Sequence, residues 1–278
     1  MVSVRLVLLA GMGAVLAATV ACSSAAAAPI IIENGNSWAR IDPYSQSGND
    51  IWVVDGWNSL VKEWFWYRVD GPGGFSREAS IDTLDPSPLV LPSDTSGDGV
   101  PDNLRLVYRS ADQGLTVEIN YNLLGAPPGS GRTDMAETVA VTNTGSAART
   151  FHLFLYADYI LSDGFDMAVA KWPNTVFQEF SPWHYAQAAV VPVPSHLEVN
   201  LEPLTLDALN DLLPTTLNDG AGPLTGNVAW AMEWDFTLAP RTSYLISENR
   251  VLTVVPEPAT LCLLGVGVVG LLARCRRK

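Results

Sequence analysis

Cysteine is nearly absent from this chain of 278 residues. The three that occur, Cys22, Cys262 and Cys275, lie near the two ends, so the long central part has none. That part can form no disulfide, present no thiol nucleophile and offer no cysteine to a metal ion. Its stability must therefore come from a packed hydrophobic core.

Positive charge is also scarce. The chain has 16 Lys and Arg against 29 Asp and Glu, for a net charge of −13. Removing the five cations and the one anion of the terminal segments leaves 11 cations and 28 anions, a net charge of −17 for the central part. Such a surface repels nucleic acid and anionic lipid, which we exclude as partners of the central part. Divalent cations and neutral glycans remain compatible with it.

Catalytic motifs are missing as well. There is no Gly-x-Ser-x-Gly elbow, and His152, His184 and His196 lack the His-x-His and His-Glu-x-x-His spacings of metal enzymes. We expect structural histidines rather than zinc ligands. Glu233 and Asp235 are the two carboxylates that a glycosidase would need, but strand alternation assigns them to a solvent face. We predict that the protein is not an enzyme, with a glycoside hydrolase as a remote alternative.

Alternation of apolar and polar residues dominates the central part. Residues 115–123 and 230–238 alternate without a break, which is typical of half-buried strands. Residues 138–142 and 150–157 flank the turn signal Asn143-Thr-Gly145 and predict a hairpin. Strands at this density, separated by many of the 19 Pro and 22 Gly, predict an all-β protein with an antiparallel β-sandwich.

One short helix is expected near residues 205–213. Thr205 is the candidate N-cap, and Pro214 ends the segment. Helical spacing places four leucines on one face: Leu206, Leu209, Leu212 and Leu213.

The sharpest internal motif is the loop from Asp94 to Asp102. Oxygen ligands at alternate positions, with a glycine for the turn, can surround a hard cation. The loop resembles a single calcium repeat of the thrombospondin type 3 kind, which implies ligands from Asp94, Ser96, Asp98, the Val100 carbonyl and Asp102. The alternative is an Asp- and Gly-rich turn that needs no ion. Apart from this calcium we expect no cofactor.

Nine tryptophans have two interpretations. Their faces could stack on sugar rings, which would make the protein a glycan-binding module, although the sequence assigns no particular residue to that role. Sandwich cores also consume large aromatics. Trp64 and Trp66 share one strand face, as do Trp230 and Trp234, and such pairs favour the core.

The N-terminal segment, residues 1–28, has the composition of a secretory signal peptide. Arg5 precedes an apolar run from residue 6 to 20, and an alanine-rich stretch offers a cleavage site. Lipidation of Cys22 is the alternative interpretation. Both imply export.

The C-terminal segment, residues 253–278, has three parts. Pro256-Glu257-Pro258 is followed by the uncharged residues 259–273 and a basic tail of Arg274, Arg276, Arg277 and Lys278. Fifteen helical residues reach roughly 22 Å, which is marginal for a bilayer core of ~30 Å. The basic tail should stay cytoplasmic. The three parts in this order resemble the PEP-CTERM sorting signal of Gram-negative bacteria that secrete extracellular polysaccharide.

The resemblance implies an exosortase substrate that the secretion machinery exports and that is cut near Pro256-Glu257-Pro258. Residues 29–252 would then form one sandwich ectodomain beyond the inner membrane. We therefore expect a non-catalytic protein of the cell surface or extracellular matrix, associated with polysaccharide and held in the inner membrane before processing.

Overall fold

The computed structural model describes residues 28–71, 77–161, 166–171, 173–182 and 184–254. The predicted signal peptide up to residue 27 lies outside these ranges, and so does the sorting segment from residue 255 onward. Within the described residues, no helix is long and apolar enough to cross a membrane.

The described residues form two large, almost entirely antiparallel sheets. The first has the order β1-β2-β3-β5-β11-β17-β15, with β4 beside β3 and β6 beside β5. Its strands are β1 Ile30–Asn34, β2 Ser37–Asp42, β3 Gly48–Val54, β4 Trp57–Asn58, β5 Leu60–Val69, β6 Ala79–Ser80, β11 Arg149–Tyr159, β15 His196–Leu201 and β17 Val228–Leu238.

The second sheet has the order β16-β12-β13-β14-β18-β10-β9-β8-β7. Its strands are β7 Leu89–Ser93, β8 Asn103–Ser110, β9 Leu115–Gly125, β10 Arg132–Asn143, β12 Asp166–Lys171, β13 Thr175–Ser181, β14 His184–Val191, β16 Leu224–Gly226 and β18 Ser243–Val254. The prediction of an all-β, antiparallel fold is confirmed. A 3₁₀ turn at Ile81–Thr83 and one α-helix, α1 Leu204–Asn210, complete the described elements.

The core lies between the two sheets and follows the alternation of the sequence. On β9, every second residue from Leu115 to Leu123 is buried. On β17, the ring of Phe236 stacks on Tyr244 of β18 with centroids 4.1 Å apart, so Phe236, Trp234 and Met232 face the second sheet. The neighbouring Glu233 and Asp235 therefore belong to the outer face of the first sheet.

The hairpin expected around residue 143 does not form. β10 pairs with β9 and β18 in the second sheet, whereas β11 pairs with β5 and β17 in the first sheet. Asn143 holds this crossing in place, because its buried side-chain amide donates to the carbonyls of Ala147 and Leu238. The turn signal was genuine, but it marks a connection between sheets.

The predicted helix is shorter than expected. It ends at Asn210, so Leu212 and Leu213 lie beyond it and are 74% and 68% exposed. Its N-cap is Pro203, while Thr205 is buried and donates its hydroxyl to Glu198. Thr205 satisfies a buried carboxylate instead of capping the helix.

Residues 203–223, which include α1, form a covering segment on the outer face of the first sheet. Backbone N–H groups of this segment donate to carboxylates that point out of the sheet. Leu217 N is 2.9 Å from Glu233 Oε2, and Asn218 N is 3.0 Å from Glu198 Oε2. The outer face is therefore only partly open to solvent.

Candidate functional site

Four adjacent strands bring ionisable side chains together on the outer face of the first sheet. The register places His152 of β11 opposite Asp235 of β17 on one side and Arg68 of β5 on the other. It also places His196 of β15 opposite Glu233 of β17. Two of the three histidines and both carboxylates noted in the sequence thus share one patch, the His152 site.

His152 is the centre of the patch. Its Nδ1 lies 2.5 Å from Asp235 Oδ1, and its Nε2 lies 3.1 Å from Asp70 Oδ2. Glu233 Oε1 is 3.8 Å from the same Nδ1. The ring therefore has an acidic partner at each nitrogen.

Glu233 departs from the sequence prediction. The outer-face assignment is correct, but the covering segment shields this position, and the Glu233 side chain is 0% exposed. Asp235, which the segment leaves partly open, has a side chain that is 33% exposed. Oε2 of Glu233 accepts a hydrogen bond from Leu217, and Oε1 has no hydrogen-bond partner among the described residues.

The charges around His152 favour its protonated form. Burial acts to lower the pKa of His152, but the carboxylates of Glu233, Asp70 and Asp235 outweigh it and the nearby Arg68, and the pKa rises to about 9. At neutral pH the imidazolium therefore adds its positive charge to that of Arg68 in this acidic patch.

His196 extends the site toward solvent. Its Nδ1 lies 3.0 Å from Asp219 Oδ2, and this hydrogen bond is the main cause of its raised pKa. Its Nε2 is 3.9 Å from Asp235 Oδ2. His196 also lines an open depression of about 400 Å³, together with Ser195 and Asp219.

The predicted calcium loop is held by its own hydrogen bonds. Asp94 accepts from the backbone N–H groups of Gly97 and Gly99 and from the Ser96 hydroxyl. Asp98 accepts from Val100 N, the residue whose carbonyl was a predicted ligand. These contacts are typical of the turn interpretation.

Asp102 closes the loop from a buried position, where it accepts from Thr95 and from the side chain of Asn34. Among the described residues, the carboxylates of the loop do not form a group with oxygens within 4.8 Å of one another, whereas the ligand atoms of the His152 site do. Calcium binding by the loop stays a prediction.

Most of the described tryptophans belong to the core. Five are at most 1% exposed: Trp52, Trp64, Trp66, Trp230 and Trp234. Trp38 is half-buried, and Trp57 on β4 is 60% exposed beside His184. Trp172 and Trp183 lie outside the described residues. The described tryptophans therefore form no exposed row.

The end of the chain matches a known family. Residues 254–278 match the family model of the PEP-CTERM protein-sorting motif. The chain carries a PEP-CTERM sorting signal. This confirms the resemblance drawn from Pro256-Glu257-Pro258 and the segment behind it, and it indicates an exported protein of Gram-negative bacteria that an exosortase processes. No curated protein matches the chain.

Solved structures resemble the sandwich in its fold. A bacterial glucoamylase complexed with acarbose is 10% identical with a TM-score of 0.51, over 84% of this chain and 32% of that one. A putative aldose 1-epimerase from Escherichia coli K12 is 11% identical with a TM-score of 0.51, over 81% and 99%. A galactose mutarotase related enzyme from Lactobacillus acidophilus is 9% identical with a TM-score of 0.50, over 82% and 98%.

Identities this low show a shared fold and nothing further. The chain spans about a third of the glucoamylase's length.

The His152 site was missed from sequence because its members lie far apart along the chain: 83 residues separate His152 from Asp235. The available signal was the outward alternation of both residues on long strands.

Proposed function

We propose that the mature protein is a non-catalytic component of the cell surface or extracellular matrix, associated with secreted polysaccharide. The PEP-CTERM motif at residues 254–278 carries this proposal, because it ties the chain to export and exosortase processing. Calcium at the Asp94–Asp102 loop would add a weak structural site.

The position of the motif suits processing. The last strand, β18, ends at Val254 with its side chain 1% exposed, and Pro256 follows two residues later. A cut near Pro256-Glu257-Pro258 would leave this strand whole. The membrane stage is part of the proposal: residues 259–273 hold the chain in the inner membrane, and the basic tail stays in the cytoplasm.

Intact-mass analysis of the protein from the producing bacterium tests this proposal. We expect a mature form that lacks both the signal peptide and the segment behind the motif. Substitution of Pro256 and Glu257 by alanine should leave the C-terminal segment attached and the protein in the inner membrane. The matched control is Glu33→Ala, which removes an exposed glutamate of β1. Recovery of the uncut chain from the cytosol would contradict the proposal.

A glycan-binding module is the second candidate. The open depression beside His196 offers the Ser195 hydroxyl, the imidazole and the Asp219 carboxylate as hydrogen-bonding groups for a neutral sugar. The names of the similar structures, a glucoamylase and a mutarotase-related enzyme, add support at the level of the fold. Trp57, 60% exposed, is an additional stacking surface.

Pull-down by the bacterium's own matrix polysaccharide distinguishes this candidate. Asp219→Asn should weaken binding at the depression, and Trp57→Ala should weaken binding by stacking. Retention of the parent chain on the polysaccharide that is no greater than on a polysaccharide-free matrix would discard the binding function. A hydrolase remains remote, because a fully buried Glu233 cannot reach a glycosidic bond without movement of the covering segment.

A further inference from the structure

The His152 site contains a set of metal-ligand atoms. His152, Glu233 and Asp235 each offer one nitrogen or oxygen, and these atoms lie within 4.8 Å of one another. We propose that these three residues bind a divalent transition-metal ion, for which zinc is the best match. The inference goes beyond the proposed function and does not depend on export or on glycan binding.

The buried Oε1 of Glu233, unpaired among the described residues, is the observation that favours a bound metal ion. A carboxylate without solvent contact needs donors for both oxygens, because burial of an unpaired charge is costly. Leu217 N serves Oε2, but no described group donates to Oε1. His152 Nδ1 carries at most one proton, which points to Asp235 at 2.5 Å, while Glu233 lies at 3.8 Å. One proton cannot serve both carboxylates, whereas a metal ion can.

The distances require only small side-chain movements. Zinc bonds of about 2.0–2.1 Å in a tetrahedral site place neighbouring ligand atoms roughly 3.3 Å apart. His152 Nδ1 and Asp235 Oδ1 would separate from 2.5 Å, and Glu233 Oε1 would approach Nδ1 from 3.8 Å. The metal replaces the proton on Nδ1, so binding releases that proton to solvent.

The surroundings already orient the ligands. Asp70 accepts from His152 Nε2, which fixes the ring so that Nδ1 faces the two carboxylates. Leu217 fixes Glu233 through Oε2. His196 stands beside the set without belonging to it: its Nε2 is 3.9 Å from Asp235 Oδ2, and its Nδ1 contacts Asp219.

The ligand set distinguishes among metals. Imidazole nitrogen with carboxylate oxygen suits Zn²⁺, Co²⁺ or Mn²⁺, whereas Ca²⁺ prefers six to eight oxygens. The site is therefore chemically separate from the Asp94–Asp102 loop, and each can be removed without the other.

Cobalt titration of the full chain, purified in detergent and treated with chelator, tests the proposal. We expect one Co²⁺ per chain with the intense visible bands of tetrahedral coordination, displaced by Zn²⁺. Glu233→Gln and Asp235→Asn should abolish these bands. Asp70→Asn should weaken binding by about 10–100-fold, because it removes only the partner of the ligand.

Two control variants match the charge change. Glu118→Gln alters an exposed carboxylate of the second sheet, and Asp98→Asn alters the loop; neither should change the cobalt spectrum. Thermal unfolding without metal checks that each variant folds. If Glu233→Gln does not fold, Asp235→Asn tests the site instead, because Asp235 is partly exposed. Absence of stoichiometric Co²⁺ or Zn²⁺ binding would overturn the proposal, as would binding that survives in folded Asp235→Asn.

Discussion

Arg250 of β18 forms an ion pair with Glu63 of β5 across the interface between the two sheets, and both side chains are 0% exposed. Glu137 of β10 is a second buried partner, and Glu248 Oε2 lies 3.7 Å from Arg250 Nε. Burial raises the pKa of Glu137 and of Glu248 and lowers that of Arg250. One guanidinium therefore serves three acidic side chains inside a hydrophobic core.

We expect Arg250→Met to lower the free energy of unfolding by about 3–5 kcal/mol, because it leaves Glu63 and Glu137 buried without a counter-charge. Urea unfolding measures the loss. Arg105→Met is the matched control, since the Arg105–Glu118 pair is solvent-exposed and should contribute at most about 1 kcal/mol. Equal losses in the two variants would show that the buried pair has no special role.

Asp158 predicts a pH dependence of stability. Burial, with smaller contributions from Glu202 and Asp166 against that of Lys62, raises its pKa to about 7. The unfolded chain ionises this group near pH 4, so the folded state binds more protons between about pH 4 and 7. The contribution of Asp158 to stability should therefore fall as pH rises through this window.

Asp158→Asn removes this titration. Above pH 7 we expect the variant to be more stable than the parent chain by about 2–4 kcal/mol, and near pH 4 the difference should largely disappear. Chemical unfolding at several pH values provides the comparison, with the exposed Asp112→Asn as control. A difference between Asp158→Asn and the parent that does not change with pH would contradict the assignment.

The sequence predicted the positions of strands better than the pairing between them. The alternating stretches 115–123 and 230–238 fall within β9 and β17, because period-two burial is a local property. Pairing is not local: the hairpin expected at residue 143 is a crossing between sheets, secured by contacts from Asn143 to residue 238. The length of α1 was overestimated, because leucine spacing shows which face a helix would bury but not where packing ends.

Prediction of the His152 site from sequence was limited in the same way. Alternation correctly assigned Glu233 to the face opposite Trp234, but it could not show that residues 203–223 cover that face. Nor could spacing reveal a cluster whose members come from four adjacent strands. The sequence did predict the terminal motif, because Pro256-Glu257-Pro258 is read as a linear segment and needs no fold.

Gly48 tests the packing of the first sheet. It has a φ of +57°, and a Cβ there would overlap the Trp64 ring and the Glu63 carbonyl oxygen. Gly56→Ala is the control, since Gly56 has a φ of +87° with no atom within 4 Å of the added carbon. We expect roughly 1–2 kcal/mol of destabilisation for Gly56→Ala from the backbone alone, and about 1–3 kcal/mol more for Gly48→Ala from overpacking. Similar unfolding midpoints would contradict the overlap.

Calcium dependence of stability decides whether the Asp94–Asp102 loop is a simple turn or a calcium site. Because Asp94 already accepts from Gly97, Gly99 and Ser96, we expect the loop to persist without an ion. Calorimetric scans of the parent chain with calcium and with chelator should then give the same melting temperature. Asp94→Ala should lower it equally in both conditions, because the lost hydrogen bonds do not involve calcium. A calcium-dependent rise that Asp98→Asn abolishes would instead establish the ion site.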